Sequence, residues 1–148
     1  MKFLQSVFGM ILVATISTSA WAKSYEQEIE NFFNFYAQGE IVQAVDSIYS
    51  TNRWINVTSD QVLNLKGQLT ALQPMLGTYL GQDRIGHHSY GERLIQVTYL
   101  ALFERQPLRM EFTFYRPKDD WIIYSFSFDD SADGDLQRAA RMAIATDD

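Results

Sequence analysis

Leu94-Ile95-Gln96-Val97-Thr98-Tyr99-Leu100-Ala101-Leu102-Phe103-Glu104, Leu108-Arg109-Met110-Glu111-Phe112-Thr113-Phe114-Tyr115-Arg116 and Trp121-Ile122-Ile123-Tyr124-Ser125-Phe126-Ser127-Phe128 are successive runs dominated by β-branched, aromatic and other apolar residues. Such runs read as strands, and the links Arg105-Gln106-Pro107 and Pro117-Lys118-Asp119-Asp120 are short enough for antiparallel hairpins. Period-two alternation places Met110, Phe112 and Phe114 on one face, with Arg109, Glu111, Thr113 and Tyr115 on the other. In the last run the same alternation predicts Ile122, Tyr124, Phe126 and Phe128 on the apolar face, opposite Ser125 and Ser127. The outer face then retains Leu100, Leu102, Trp121 and Ile123, more apolar surface than an exposed sheet usually keeps. That surplus predicts a homodimer through the outer face.

Upstream of these strands the hydrophobic period changes to that of a helix. Ser24-Tyr25-Glu26-Gln27 has the form of a capping box, in which the serine and glutamine side chains satisfy free backbone donors at a helix start. Glu26, Glu28 and Glu30 suit the positive end of that helix. Tyr25, Ile29, Phe32 and Tyr36 follow helical spacing until Gly39 stops it. A second amphipathic segment, residues 40–49, runs through Ile41, Val45 and Ile48, and a loop carrying Trp54 follows. Thr58-Ser59-Asp60-Gln61 repeats the capping-box form ahead of a third helix with the stripe Val62, Leu65, Leu69, Leu72 and Leu76. Pro74 falls near its end.

Gly77, Gly81, Gly86 and Gly91 punctuate the extended stretch that comes next, where bends or bulges are expected. A phosphate-binding loop is excluded there, because it needs a preceding strand and a helix opening directly after closely spaced glycines. Asp129-Asp130 reads as the entry to a short polar helix at the end. Helices first and an antiparallel sheet second make the fold class α+β, with N-terminal helices packed on the sheet.

Residues 1–22 carry a different message. Lys2 supplies a positive start, Val7 to Ile16 is nearly unbroken apolar sequence, and Ala20-Trp21-Ala22 has the small-x-small form of a signal-peptidase site. The expectation is an exported protein, periplasmic in a Gram-negative source and otherwise secreted, with no stable membrane anchor after cleavage. Cleavage would leave 126 of the 148 residues, residues 23–148, as one domain, and loss of Lys2 would move the formal net charge from −6 to −7. An acidic chain without a Lys/Arg cluster repels phosphate backbones, so no nucleic-acid partner is expected. The absence of cysteine excludes disulfides, thiol catalysis and cysteine metal sites. The sequon Asn56-Val57-Thr58 matters only in a eukaryotic source.

The order of helices followed by a long antiparallel meander resembles the nuclear transport factor 2-like superfamily, also described as ketosteroid isomerase-like or cystatin-like. The segments that carry the likeness are Leu94-Ile95-Gln96-Val97-Thr98-Tyr99, Glu111-Phe112-Thr113-Phe114-Tyr115-Arg116-Pro117 and Trp121-Ile122-Ile123-Tyr124-Ser125-Phe126. It is greatest to small exported members of that superfamily without established activity. The resemblance implies a cone-shaped roll, a curved sheet wrapped around helices with a pocket between them, and frequent dimerisation through the sheet. Members include isomerases, dehydratases and proteins with no catalysis, so the likeness implies fold rather than function. Steroid isomerisation needs a carboxylate base beside an oxyanion site of tyrosine and protonated acid, and no such set is identifiable residue by residue.

Candidate residues are correspondingly few. Tyr36, Trp54, Tyr99 and Tyr124 combine apolar bodies with polar tips suited to orienting a small apolar ligand. His87 and His88 are the two histidines; neighbours on a strand face opposite ways, so one of them, taken as His88, is a candidate for the pocket. Asp46, Arg109 and Glu111 read as solvated charges. Asp119-Asp120 and Asp129-Asp130 lack the spacing of a calcium loop, and no serine stands in a nucleophile elbow. No catalytic residue, metal or cofactor is assigned. The expectation is a non-catalytic exported small-ligand-binding or protein-interaction domain. The alternatives are a ketosteroid isomerase-like or dehydratase-like enzyme using proton transfer, and a structural subunit of an envelope assembly.

Overall fold

The structure, a computed structural model, describes residues 23–146. The expected signal segment, residues 1–22, lies outside the described residues. Helices α1 (Tyr25–Ala37), α2 (Ile41–Tyr49) and α3 (Asp60–Leu76) precede strands β1 (Tyr79–Tyr90), β2 (Leu94–Phe103), β3 (Leu108–Tyr115) and β4 (Ile122–Asp129), and α4 (Ala132–Thr146) closes the order. The strands form one open antiparallel sheet in the order β1-β2-β3-β4. No described helix is long and apolar enough to cross a membrane.

Local chemistry accounts for most helix boundaries. At α1 the capping box is complete: Gln27 N donates to Ser24 Oγ at 3.3 Å and Ser24 N donates to Gln27 Oε1 at 3.1 Å. Gly39 follows α1 at φ 78°, a conformation that side-chain-bearing residues avoid. The expected second box at Thr58 does not form. Ser59 is the N-cap of α3 without a side-chain cap, while Thr58 spends its N–H and hydroxyl on Asn56 Oδ1 at 2.9 and 2.8 Å. The competing local turn wins because Asn bonds readily two residues ahead. At the other end Gly77 has φ 84°, and a Cβ there would meet Glu104 Oε2 at 3.0 Å.

The glycine-punctuated stretch is a single long strand, β1, with register irregularities at Tyr79/Gly81 and Arg84/Gly86. The inner face of the sheet presents Ile95, Val97, Ala101, Phe103, Met110, Phe112 and Phe114, all buried against the helices. Rings fill the space between. Phe32 of α1 meets Phe112 edge-on at 5.1 Å and Phe126 at 5.2 Å, and Phe33 meets Tyr99 at 5.2 Å. Tyr36 meets Tyr79 at 5.5 Å and Phe103 at 5.9 Å. Edge and tilted geometries of this kind suit the aromatic quadrupole and add to the burial of apolar area.

The alternation expected for β4 is corrected by a bulge. Thr113 pairs with Ser125 but Phe114 pairs with Ile123, so Tyr124 is the extra residue and the parity of the strand changes there. Ile123 is therefore fully buried and Tyr124 is 67% exposed, the reverse of their predicted sides. Trp121, also expected on the outer face, packs edge-on against Tyr25 of α1 at 5.4 Å. Of the four residues expected to form the apolar outer surface, Leu100 and Leu102 remain there, both half-buried.

Asp46 is likewise not simply solvated. It ion-pairs with Lys66 of α3, whose ammonium also donates to Val57 O at 2.9 Å and whose residue is buried. A buried ammonium needs this double engagement to offset its lost hydration.

Candidate functional site

The expected pocket residues do not converge. Tyr36 is in the core, where Gln73 Nε2 donates to its hydroxyl and burial pushes its pKa well up. Tyr99 is a half-buried wall of the same aromatic cluster, its pKa also raised by burial. Trp54 and Tyr124 are exposed, and His88 faces outward in register with Gln96. The space the pocket was expected to occupy is taken by the rings of Phe32, Phe33, Phe112 and Phe126.

His87, not His88, points to the helix side. Its Nε2 lies 3.2 Å from Tyr25 Oη, at the open edge where β1 passes the start of α1. Burial, then a hydrogen bond to Glu26, pushes the Tyr25 hydroxyl up to about 12. Burial raises the Glu26 carboxyl, but hydrogen bonds from Tyr25, its own backbone and Ser24, with His87 nearby, hold it below the usual range. The cluster thus fixes a neutral tyrosine between a carboxylate and an imidazole on an exposed edge. Among the described residues, no group of three or more His, Cys, Asp or Glu is gathered to hold a metal ion.

Grooves open elsewhere. One of about 490 Å³ lies between α3 and the sheet edge, with Ala71, Leu72, Leu108 and Phe128 in its walls. Another of about 460 Å³ runs between the Trp54 loop and the β3–β4 turn, including Arg53, Lys118 and Asp120. A third of about 350 Å³ lies by His88, Tyr90, Leu94 and Thr113.

A charged cluster at Arg109 holds the start of α4. Arg109 Nε and Nη2 donate to Asp129 Oδ2 at 3.0 and 2.8 Å, and Nη1 donates to Asp135 of α4. Glu111 stands 4.0 Å from the same guanidinium, and Ser131 N donates to Asp129 Oδ1 at 2.8 Å. Arg109 and Glu111, expected as free surface charges, are parts of this latch on the outer face. Beyond it residues 136–144 of α4 are exposed, with Leu136 at 72% and Ile144 at 71%. The polar composition of this helix masks the surface in the sequence, although Leu136, Ala140 and Ile144 recur at four-residue spacing.

Burial raises the Asp129 carboxyl, but hydrogen bonds from Ser131 and Arg109 together hold it below the usual aspartate range. A depressed carboxylate contributes fully above its unfolded pKa and loses that contribution as pH falls through its folded value. Amide exchange across α4 is therefore expected to rise as the pH drops below about 4, before the core exchanges, once corrected for the intrinsic pH dependence of exchange. Equal protection of α4 relative to the core at pH 5 and pH 3 would contradict the latch.

No protein-family model, curated protein or solved structure matches this chain.

Proposed function

We propose that this chain is a non-catalytic, exported protein-interaction domain of the nuclear transport factor 2-like type, associating through α4 and the adjoining outer face of its sheet. The observation that carries the reading is where apolar side chains are spent. The space between helices and sheet is packed with rings, whereas α4 holds Leu136 and Ile144 in water at more than 70% exposure. A helix kept in that position by Arg109 has its apolar side available to another chain. Helices first, a four-stranded meander and bulges in β1 and β4 support the fold assignment, since bulges bend a sheet around what it covers. Export rests on the Lys2-to-Ala22 pattern.

The occupant favoured by the outer-face residues Leu100 and Leu102 beside the latch is a second copy, because an isologous contact lets one apolar patch meet its own equal. Light scattering at about 10 μM is expected to give a dimer, and Leu136→Glu with Ile144→Glu a monomer that keeps a cooperative melting transition, its midpoint lowered only by the lost dimer linkage. A wild-type monomer at every concentration tested would overturn self-association. Loss of the melting transition in the double variant would overturn the assignment of α4 as an interaction element rather than part of the core.

A further inference from the structure

Trp54 is 78% exposed, yet the loop that presents it is firmly held. The buried Asn52 side chain donates from Nδ2 to Ile123 O at 2.7 Å and accepts from Trp54 N at Oδ1 at 3.0 Å. Next to it, Ile123 N donates to Thr51 Oγ1 at 2.9 Å, and Thr51 Oγ1 donates to Ile48 O at 2.7 Å. Ile55 N closes the turn on Asn52 O at 3.0 Å. Core residue Ile123 and the end of α2 therefore anchor the backbone on which the indole stands. An exposed indole on a loosely held loop would need no such bracing; a binding platform does, because ordering it beforehand removes that cost from association.

The surroundings define what the platform fits. The Arg53 guanidinium lies 4.6 Å from the ring centroid, over one face of the indole. With one face covered and 78% of the residue still accessible, the other face is open to solvent. The groove beside it, about 460 Å³, is bounded across from Trp54 by Pro117, Lys118, Asp120 and Ile122. Arg53 and Lys118 are balanced by Asp119 and Asp120 of the facing turn, so the groove has no cationic excess to select an anion. It is partly open to solvent, unlike the enclosed apolar cavity that retains a small hydrophobic molecule. Trp54 is its sole aromatic, whereas grooves for proline-rich peptides are lined by several.

An open groove with one aromatic face, a carboxylate acceptor and ammonium and guanidinium donors matches the chemistry of a sugar chain. A pyranose ring has an apolar C–H face, whose partial positive charge complements the negative face of the indole, and a rim of hydroxyls that both donate and accept. We propose that the Trp54 groove binds a neutral saccharide chain, with one ring stacked on the open indole face and hydroxyls of the chain bonded to Asp120 and Lys118. This site is separate from α4 and the outer face, so it stands or falls independently of the association proposed above.

The test is a ¹H–¹⁵N titration of the full chain with chitotetraose, cellotetraose and maltotetraose, reading the Trp54 indole cross-peak, assigned with Trp54→Phe. At least one tetramer is expected to move that peak saturably at concentrations up to about 10 mM. Trp54→Ala, a surface change, is expected to weaken binding about tenfold or more, followed through the Lys118 and Asp120 amides. Asp120→Asn is a second variant, expected to weaken binding with the fold intact. No saturable shift with any tetramer would overturn the proposal. So would equal affinity in Trp54→Ala, or a response confined to a polyproline peptide titrated in parallel.

Discussion

Ile123→Asp is expected to abolish folding or to cost more than about 4 kcal/mol, whereas Tyr124→Asp, one residue on, should leave stability within about 0.5 kcal/mol. Ile123 is fully buried and its backbone carries both anchors of the Trp54 loop, while Tyr124 is the exposed extra residue of the bulge. An aspartate at 123 would lose the apolar burial and place a carboxylate among Phe114 and its neighbours without a partner. Urea denaturation followed by circular dichroism compares the two variants directly. A larger loss at 124 would mean that β4 keeps strict alternation and has no bulge, and similar losses at both would contradict the exposure of Tyr124. Since strict alternation puts Tyr124 inside, the pair of substitutions separates the two arrangements.

For Phe32→Ala the expectation is a loss of about 3–5 kcal/mol, with the melting temperature lowered by about 10 °C or more. Phe32 has no exposed surface and touches Phe33, Tyr36, Phe112 and Phe126, so it joins α1 to β3 and β4 through rings. Truncation would leave a cavity that several large, interlocked neighbours cannot close without leaving their rotamers. A cost below about 1 kcal/mol would show the interior to be loosely packed and would reopen the question of a ligand there. Scanning calorimetry of Phe32→Ala beside exposed Trp54→Ala supplies the comparison, because the second change removes an aromatic of greater size from the surface.

The candidate site was less legible than the fold. Trp54 stood out in the sequence as an amphipathic aromatic, but nothing local linked it to Lys118 and Asp120, which lie more than sixty positions away in the chain. Asn52, which fixes Trp54, carried no signal at all, since its value comes from being buried against the Ile123 carbonyl. The Arg109 latch was hidden for a similar reason. Arg109 and Asp129 are cross-strand partners, and Asp135 joins them only once the turn after β4 brings the start of α4 to Arg109.

What the sequence by itself determined was everything set within a few residues: the capping box of α1, the helical stripes of α1 to α3, the hairpin links and the inward face of β3. These follow from backbone donors, helical and strand periods, and turn chemistry, none of which needs a distant partner. The tertiary structure alone decided which side of β4 faces the core, which histidine faces the helices and whether a pocket exists between helices and sheet. The bulge at Tyr124 reverses the parity of Ile122 and Ile123 relative to Phe126 and Phe128, and it leaves Ile123 buried opposite Phe114. Volume is likewise a collective property. Whether aromatic residues line a cavity or fill it depends on how closely the layers approach, and here the rings of α1 reach those of β3 and β4 and leave the exposed indole of Trp54 to face the solvent.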